Sequence, residues 1–529
     1  MVGDKEKIEE LFATWLAQNA PSAHLSELCF CYSEIEAYCL KIKVLRKPLF
    51  ETIDLDIIKR VQKTVTESRI FQLSHKKQMR KIVTAAQYYK AFVKSLVPQE
   101  TNTTELSISS DGKPCEVTQR KEIALSENKK EDNLNKEEKI VIIGGGVAAV
   151  SAADAVRSKN KLADIEIIGK ESIMPYYRTM LTEHLYADMP EEKLKIKKDK
   201  WYEEKNIKIT IGDAVKAVSS KEKKVTLESG KEYNYDKLIL ATGSECFIPP
   251  IKNAALDGVF TIRSMKDTEN VKEYVKKCKR AVVIGGGVLG LEAAWGLKEL
   301  GMDVSVIEMM QRILPRQLDE KGSKILEQAI VRSGVRVYKG VVVDHLEGEG
   351  KVSSVVLEKG EHIMADLVVI SAGILPNKKL AVDMGLQTGR GIIVNEKMET
   401  SEKDIYACGD AAEYEGKVIG LWQIAMEQGK TAGINASGDS AVYKEQIQPL
   451  NFDGMNIKLI SIGLIGNGKE CEEFVEDIDT KKNIYKKLYF EENKLKGAIL
   501  IGDVSKGITI IKSVRENAEK NVVLEKIYS

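Results

Sequence analysis

The feature that most constrains this chain is the stretch Lys139 to Val156, KIVIIGGGVAAVSAADAV. An apolar run, Ile140 to Ile143, reads as a buried parallel strand, and three glycines and a helix of small residues follow at once. Gly144, Gly146 and Ala149 stand at the G-x-G-x-x-G/A positions. Gly144 lets the chain turn tightly, Gly146 lacks the Cβ that would keep a pyrophosphate from the backbone, and Ala149 lets helix and strand pack closely. The helix start presents unpaired N–H groups and a positive dipole end to phosphate. The next strand, Asp164 to Ile168, ends near Glu171, whose carboxylate can accept hydrogen bonds from a ribose.

The chain repeats the device. Ala281 to Ile284 is a second apolar strand, and Gly285, Gly287 and Gly290 open a helix. The strand Asp303 to Ile307 ends at Glu308, about 20 residues on, where an acid reads an adenosine ribose. Two such units point to two dinucleotides. Two unrelated glycine turns in some other α/β enzyme would leave both acids unexplained.

A chain of 529 residues suggests roughly three or four domains. Lys and Arg number 80 and Asp and Glu 79, so the overall charge makes no case for a nucleic-acid or membrane partner. Residues 1–10 are charged and lack an apolar signal core, and no apolar run reaches membrane-spanning length. The expected location is the cytoplasm. The eight cysteines are scattered, with Cys29-x-Cys31 but no C-x-x-C pair. No metal site and no disulfide framework is expected.

Residues 1–97 read as a module of about four helices, with Ile8, Leu11, Phe12, Trp15 and Leu16 on one face. Its basic run, His75 to Lys81, reads as a solvated helix face rather than a nucleic-acid patch. Residues 98–137 are polar, too poor in apolar groups to offset ordering entropy, and read as a flexible linker. The first nucleotide unit occupies 138–256 and resumes over 375–440, with the second, 257–374, between. In the first, Leu238 to Leu240 is a strand running into Ala241-Thr242-Gly243-Ser244, Asp404 to Asp410 is a short strand ending in glycine and acid, and Trp422 opens a helix. Residues 441–529 read as a small α+β unit with a hairpin turning at Glu491 to Lys494 and one last helix bearing Ile508, Ile511, Val514 and Val522.

GGGVAA, ILATGS, GGGVLGLE and IYACGDAAE, in that order, resemble the two-dinucleotide-binding-domain flavoproteins of the pyridine nucleotide–disulfide oxidoreductase superfamily. The resemblance covers about residues 138 to 529. It implies an α/β fold with two Rossmann-like domains, the NAD domain inserted in the FAD domain, followed by the small α+β domain. It implies FAD on the first unit, with Gly144, Gly146, Ala149, Glu171, Arg178, Thr242, Gly243, Gly409 and Asp410 around it and Trp422 at the flavin pyrimidine edge. It implies NAD(H) on the second, with Gly285, Gly287, Gly290, Glu308 and Gly373, and it places Glu292 near the nicotinamide. The Glu308 carboxylate would repel a 2′-phosphate, which favours NADH over NADPH.

One absence narrows the resemblance. Members that reduce disulfides carry redox cysteines after the first unit, whereas Tyr177 to Pro190 reads YRTMLTEHLYADMP, without a thiol. That matches the rubredoxin/ferredoxin reductase branch, whose acceptor is a small redox protein. A lysine usually follows the L-S/T pair in that branch, but here Leu181-Thr182 precedes Glu183. Glu183 and Glu292 are therefore the candidate acids beside the flavin, and His184 a candidate proton donor. Two other functions stay open: a cysteine-free NADH oxidase or quinone reductase, and an NADH-responsive binding protein whose helical module recruits a protein partner.

Overall fold

The computed structural model describes residues 136–465, 473–479 and 482–528. The helical module expected over 1–97, and the linker up to residue 135, lie outside these residues. The described part is built on two parallel sheets of five strands and one antiparallel sheet of five, with smaller meanders beside the parallel sheets.

In the first sheet the apolar run of the glycine motif becomes the central strand, Lys139–Ile143. It pairs in parallel with Asp164–Gly169 on one side and Lys237–Leu240 on the other, and Ile207–Ile211 and Ile405–Ala407 close the edges. Both faces are covered, which is why the strand is apolar without alternation: Ile140 and Ile142 are wholly buried. The second sheet repeats the plan around Arg280–Ile284, between Asp303–Glu308 and Leu367–Ile370, with Val335–Lys339 and Val259–Phe260 outermost. In each sheet the strand order reverses at the central strand, and there the glycine turn lies at the carboxyl end.

The helices after the two turns, Val147–Lys159 and Val288–Glu299, lie on their sheets because their contact residues are small. A Cβ on Gly290 would stand 2.0 Å from the Gly285 carbonyl oxygen. Along Val147–Lys159 runs the helix Trp422–Ala436, where a Cβ on Gly429 or Gly433 would meet the Ala148 or Ala152 carbonyl oxygen at 2.3 Å. Arg157, at the far end of that pair, is buried and donates to the carbonyls of Lys205, Asn160, Lys161, Ala163 and Asn206.

The C-terminal sheet runs Leu450–Gly454, Ile457–Gly463, Lys494–Ile501, Ile484–Glu491, Glu473–Asp479. The expected hairpin is present, its strands Ile484–Glu491 and Lys494–Ile501. Both its faces are buried: Tyr485 and Tyr489 join the core of the second nucleotide unit, and Leu488 and Phe490 join a core under the last helices. The single last helix is a misreading. The chain breaks at Asn517, whose φ is 48°, and forms Gly507–Arg515 and Lys520–Tyr528. The buried face carries Ile510, Val514, Val523 and Ile527, and Ile508 is 86% exposed. No helix among the described residues is long and apolar enough to cross a membrane.

Candidate functional site

The two glycine turns open into one cavity. It has a volume of about 370 Å³, reaching from Gly146 and Asp410 on the first unit to Gly287 and Gly373 on the second. Gly144 has a φ of 144°, and a Cβ there would lie 2.0 Å from the Ala241 carbonyl oxygen. Only glycine turns the chain here without collision. Gly146 and Gly287 are the N-caps of their helices, and a Cβ built on either meets nothing within 4 Å. The space over each helix start is therefore open to a phosphate, and the unpaired first-turn amides face it. Ala149 is wholly buried, as helix–strand packing requires.

The acid closing each unit is placed by its strand. Glu308 ends Asp303–Glu308 and accepts from the Gly286 and Met310 amides, each at 2.7 Å, which orients the carboxylate and leaves lone pairs for ribose hydroxyls. Glu171 lies two residues beyond Asp164–Gly169, paired with Arg178 and accepting from the Tyr176 hydroxyl at 2.8 Å. Neither acid lines the cavity itself.

Half of the first-unit residues, Gly146 among them, reach the cavity itself. Arg178, Gly243, Asp410 and Trp422 line it. Trp422 begins its helix and stands 5.3 Å from the Tyr177 ring. Thr242 does not face inward: its hydroxyl donates to the Asn377 carbonyl at 2.7 Å and joins the two passages between the units. Gly409 donates its amide to Gln428 Oε1 at 2.9 Å, which aims the turn that carries Asp410. Sequence reading passed over Arg263. Its guanidinium lines the cavity, donates to Asp410 at 2.5 Å and to Ser244 Oγ at 2.7 Å, and supplies positive charge beside Arg178. It lies just after the edge strand Val259–Phe260 of the second unit, where no motif marks it.

The three candidate acid–base residues separate. Glu292 sits half-buried on Val288–Glu299 and accepts from the Thr182 hydroxyl at 2.9 Å. Burial pushes its carboxyl above the ordinary value, against the Thr182 hydrogen bond and helped by the Glu183 charge. Glu183 is exposed on the short helix Leu181–His184. Both acids line a second cavity of about 650 Å³, which shares Thr179 and Thr182 with the first. His184 lines neither cavity; it is 8% exposed, its Nδ1 has no partner, and burial followed by the Lys272 charge holds it below the ordinary imidazole value. It is a packing residue, not a proton donor to this site.

The thiols agree with a site without a thiolate. Cys246 lines the first cavity and Cys408 is wholly buried beside it. Burial raises both, Cys408 to about 12. Leu181 and Thr182, not a cysteine, are what the short helix presents to the cavity. No cluster of His, Cys, Asp and Glu among the described residues could hold a metal. The open helix starts, oriented acids and shared cavity fit two dinucleotides, one on each unit.

Comparison with known proteins agrees with this geometry. Residues 138–429 match the family of pyridine nucleotide-disulphide oxidoreductases, and 450–518 match the rubredoxin NAD+ reductase C-terminal domain. An NADH-rubredoxin oxidoreductase of Clostridium acetobutylicum is 37% identical over 379 residues, which are 72% of this chain and 95% of that protein. A nitrite reductase [NAD(P)H] of Bacillus subtilis is 34% identical over 72% of this chain, which spans only 47% of that longer protein. A ferredoxin reductase from Rhodopseudomonas palustris superposes with a TM-score of 0.67 at 26% identity, over 72% of this chain and 95% of that one. Its two glycine turns, its shared cavity and these matches together make the chain an oxidoreductase that belongs to the pyridine nucleotide-disulphide oxidoreductase family, with FAD and NAD(H) as its cofactors.

Proposed function

We propose that this chain takes hydride from NADH and passes the electrons, through FAD, to a small redox protein of the rubredoxin or ferredoxin type. The observation that carries this reading is the single cavity joining both glycine turns, whose two cysteines, Cys246 and Cys408, have thiols pushed up by burial. Bound FAD supplies the conversion of a two-electron donor into one-electron steps. In this reading Gly146 and the amides of the following helix hold the FAD pyrophosphate, with Arg178 and Arg263 adding charge and Glu171 the ribose contact. Asp410 and Gly243 flank the ribityl chain, and the start of Trp422–Ala436 presents its positive end to the flavin ring. Gly287, Gly290, Gly373 and Glu308 seat the NADH so that donor and acceptor meet within the shared cavity.

The small-carrier acceptor is supported by the C-terminal domain match and by the Clostridium acetobutylicum relative. A cytoplasmic location fits the free cysteines Cys246, Cys278 and Cys408. The test is an anaerobic titration with NADH, then addition of an oxidised rubredoxin or ferredoxin. Bleaching of the flavin band near stoichiometry and rapid reduction of the carrier are expected. Oxygen consumption matching NADH loss, with no carrier reduced, would replace this reading by an oxidase.

A further inference from the structure

Among the described residues the half-buried carboxyl of Glu292 forms no ion pair, and it lines the second cavity next to Thr182, which lines both. Thr182 Oγ1 donates to it across the interface between the units, at 2.9 Å. That interface is tight: a Cβ on Gly296, one turn along the same helix, would lie 3.1 Å from the Thr182 carbonyl oxygen and 3.1 Å from Leu185 Cδ2. Thr182 is 7% exposed and lines both cavities, whereas Glu292 and exposed Glu183 line only the second. Hence a polar line leads from the dinucleotide cavity, past Thr182 and Glu292, into a space of about 650 Å³ and on to a surface carboxylate.

The reaction proposed above needs such a line, and the inference rests on that reading. NADH and two oxidised carriers give NAD+, two reduced carriers and one proton. The hydride hydrogen enters the shared cavity; the carriers remove electrons only, so one proton must leave the cavity in each turnover. We propose that Glu292 accepts this proton and releases it through the second cavity toward Glu183, with Thr182 as its positioning residue. The bond that held the hydride hydrogen would break as the carrier takes the electrons, an O–H bond would form at the Glu292 carboxyl, and that bond would then break in favour of water in the second cavity. A carboxyl raised by burial exchanges protons closer to neutrality than a free one. The other titratable groups lining this space are Tyr186 on the segment after Glu183 and the ion pair of Asp453 and Lys458 on the C-terminal sheet, with Glu299 on the Glu292 helix near Tyr186. The replacement of a lysine by Glu183 then has a reason: a lysine there would hold Glu292 ionised and paired, and a carboxylate leaves it free to take up and give up a proton.

The test separates the two half-reactions of the FAD-loaded protein. In Glu292→Gln, flavin bleaching by NADH should slow far less than reoxidation, because hydride transfer releases no proton. Reoxidation by the carrier, and proton release followed with a pH-indicator dye, should slow by about 10²-fold and carry a solvent isotope effect. Added acetate, small enough for the second cavity, should restore the oxidative half in Glu292→Ala. In the infrared, the carbonyl stretch of a protonated acid should be lost in Glu292→Gln. Its pH midpoint should rise in Thr182→Val, return in Thr182→Ser and fall in Glu183→Lys. Equal slowing of both half-reactions, or proton release in Glu292→Gln at the wild-type rate, would overturn the proposal. Ferricyanide takes single electrons and poses the same proton question. A wild type that reduces ferricyanide but no carrier would therefore sink the functional reading and leave this one decidable.

Discussion

Glu308 shows how a residue acquires a role from its neighbours. The Gly286 and Met310 amides hold both carboxylate oxygens, so the charge faces the place where a 2′-phosphate would go. Glu308→Arg should cost NADH about 1–3 kcal/mol for each charged hydrogen bond lost. The NADH kcat/KM should fall and the NADPH value rise; an unchanged NADH KM would remove Glu308 from the site. The position of Glu308 at the end of its strand could be read from its spacing, because strand, turn and helix lengths fix where such an acid falls. Arg263 could not. It is one arginine among many, and only the fold brings it within 2.5 Å of Asp410. His184 was misassigned for the converse reason: adjacency to Glu183 in sequence puts it on the opposite side of a short helix, where it is buried.

At the scale of elements, the helices Val147–Lys159 and Trp422–Ala436 cross with almost no space between their backbones. Gly433→Ala would drive a methyl group to 2.3 Å from the Ala152 carbonyl oxygen. The expected cost is about 1–3 kcal/mol, read as a lower Tm, with FAD lost more readily because both helix starts border the cavity. A Tm unchanged from wild type would show that this pair can spread freely. The strands were legible because continuous apolar runs of four or five residues have no other stable place than a covered parallel sheet. The C-terminal helices were not: Ile508 and Ile511 suggested one stripe, but a left-handed turn at Asn517 ends the first helix and resets the face of the second.

For the whole molecule, Asp319 joins two domains. It caps the helix Glu320–Arg332, accepting from the Gly322 amide at 2.8 Å, and takes hydrogen bonds from Tyr485 at 2.6 Å, Tyr489 at 2.9 Å and Lys487 at 3.1 Å on the C-terminal sheet. Burial opposes its ionisation, but these hydrogen bonds outweigh burial and hold the carboxyl below its ordinary 3.8. A depressed folded value means that the stabilisation is complete above pH 3.8 and is lost as pH falls through the folded value. Asp319→Ala should cost about 3 kcal/mol by removing the carboxylate that Lys487, Tyr485 and Tyr489 share across the two domains. Its Tm deficit should be full at pH 7 and shrink on acidification; a pH-independent deficit would point to lost packing instead. Deletion of residues 1–130 should leave flavin bleaching by NADH intact, since every residue placed at the cofactors lies between 144 and 422. Loss of bound FAD in that deletion would contradict this. By itself the sequence determined the two nucleotide units, their order, the acids that end them and the missing thiols, because these depend on spacings of a few residues along one strand and turn. Only the tertiary structure decided that both turns share one cavity, that Arg263 belongs to it, that Thr242 and His184 do not, and that Thr182 reaches Glu292. Those contacts join residues more than a hundred positions apart or set a side chain on one side of a helix rather than the other, and no local pattern encodes either.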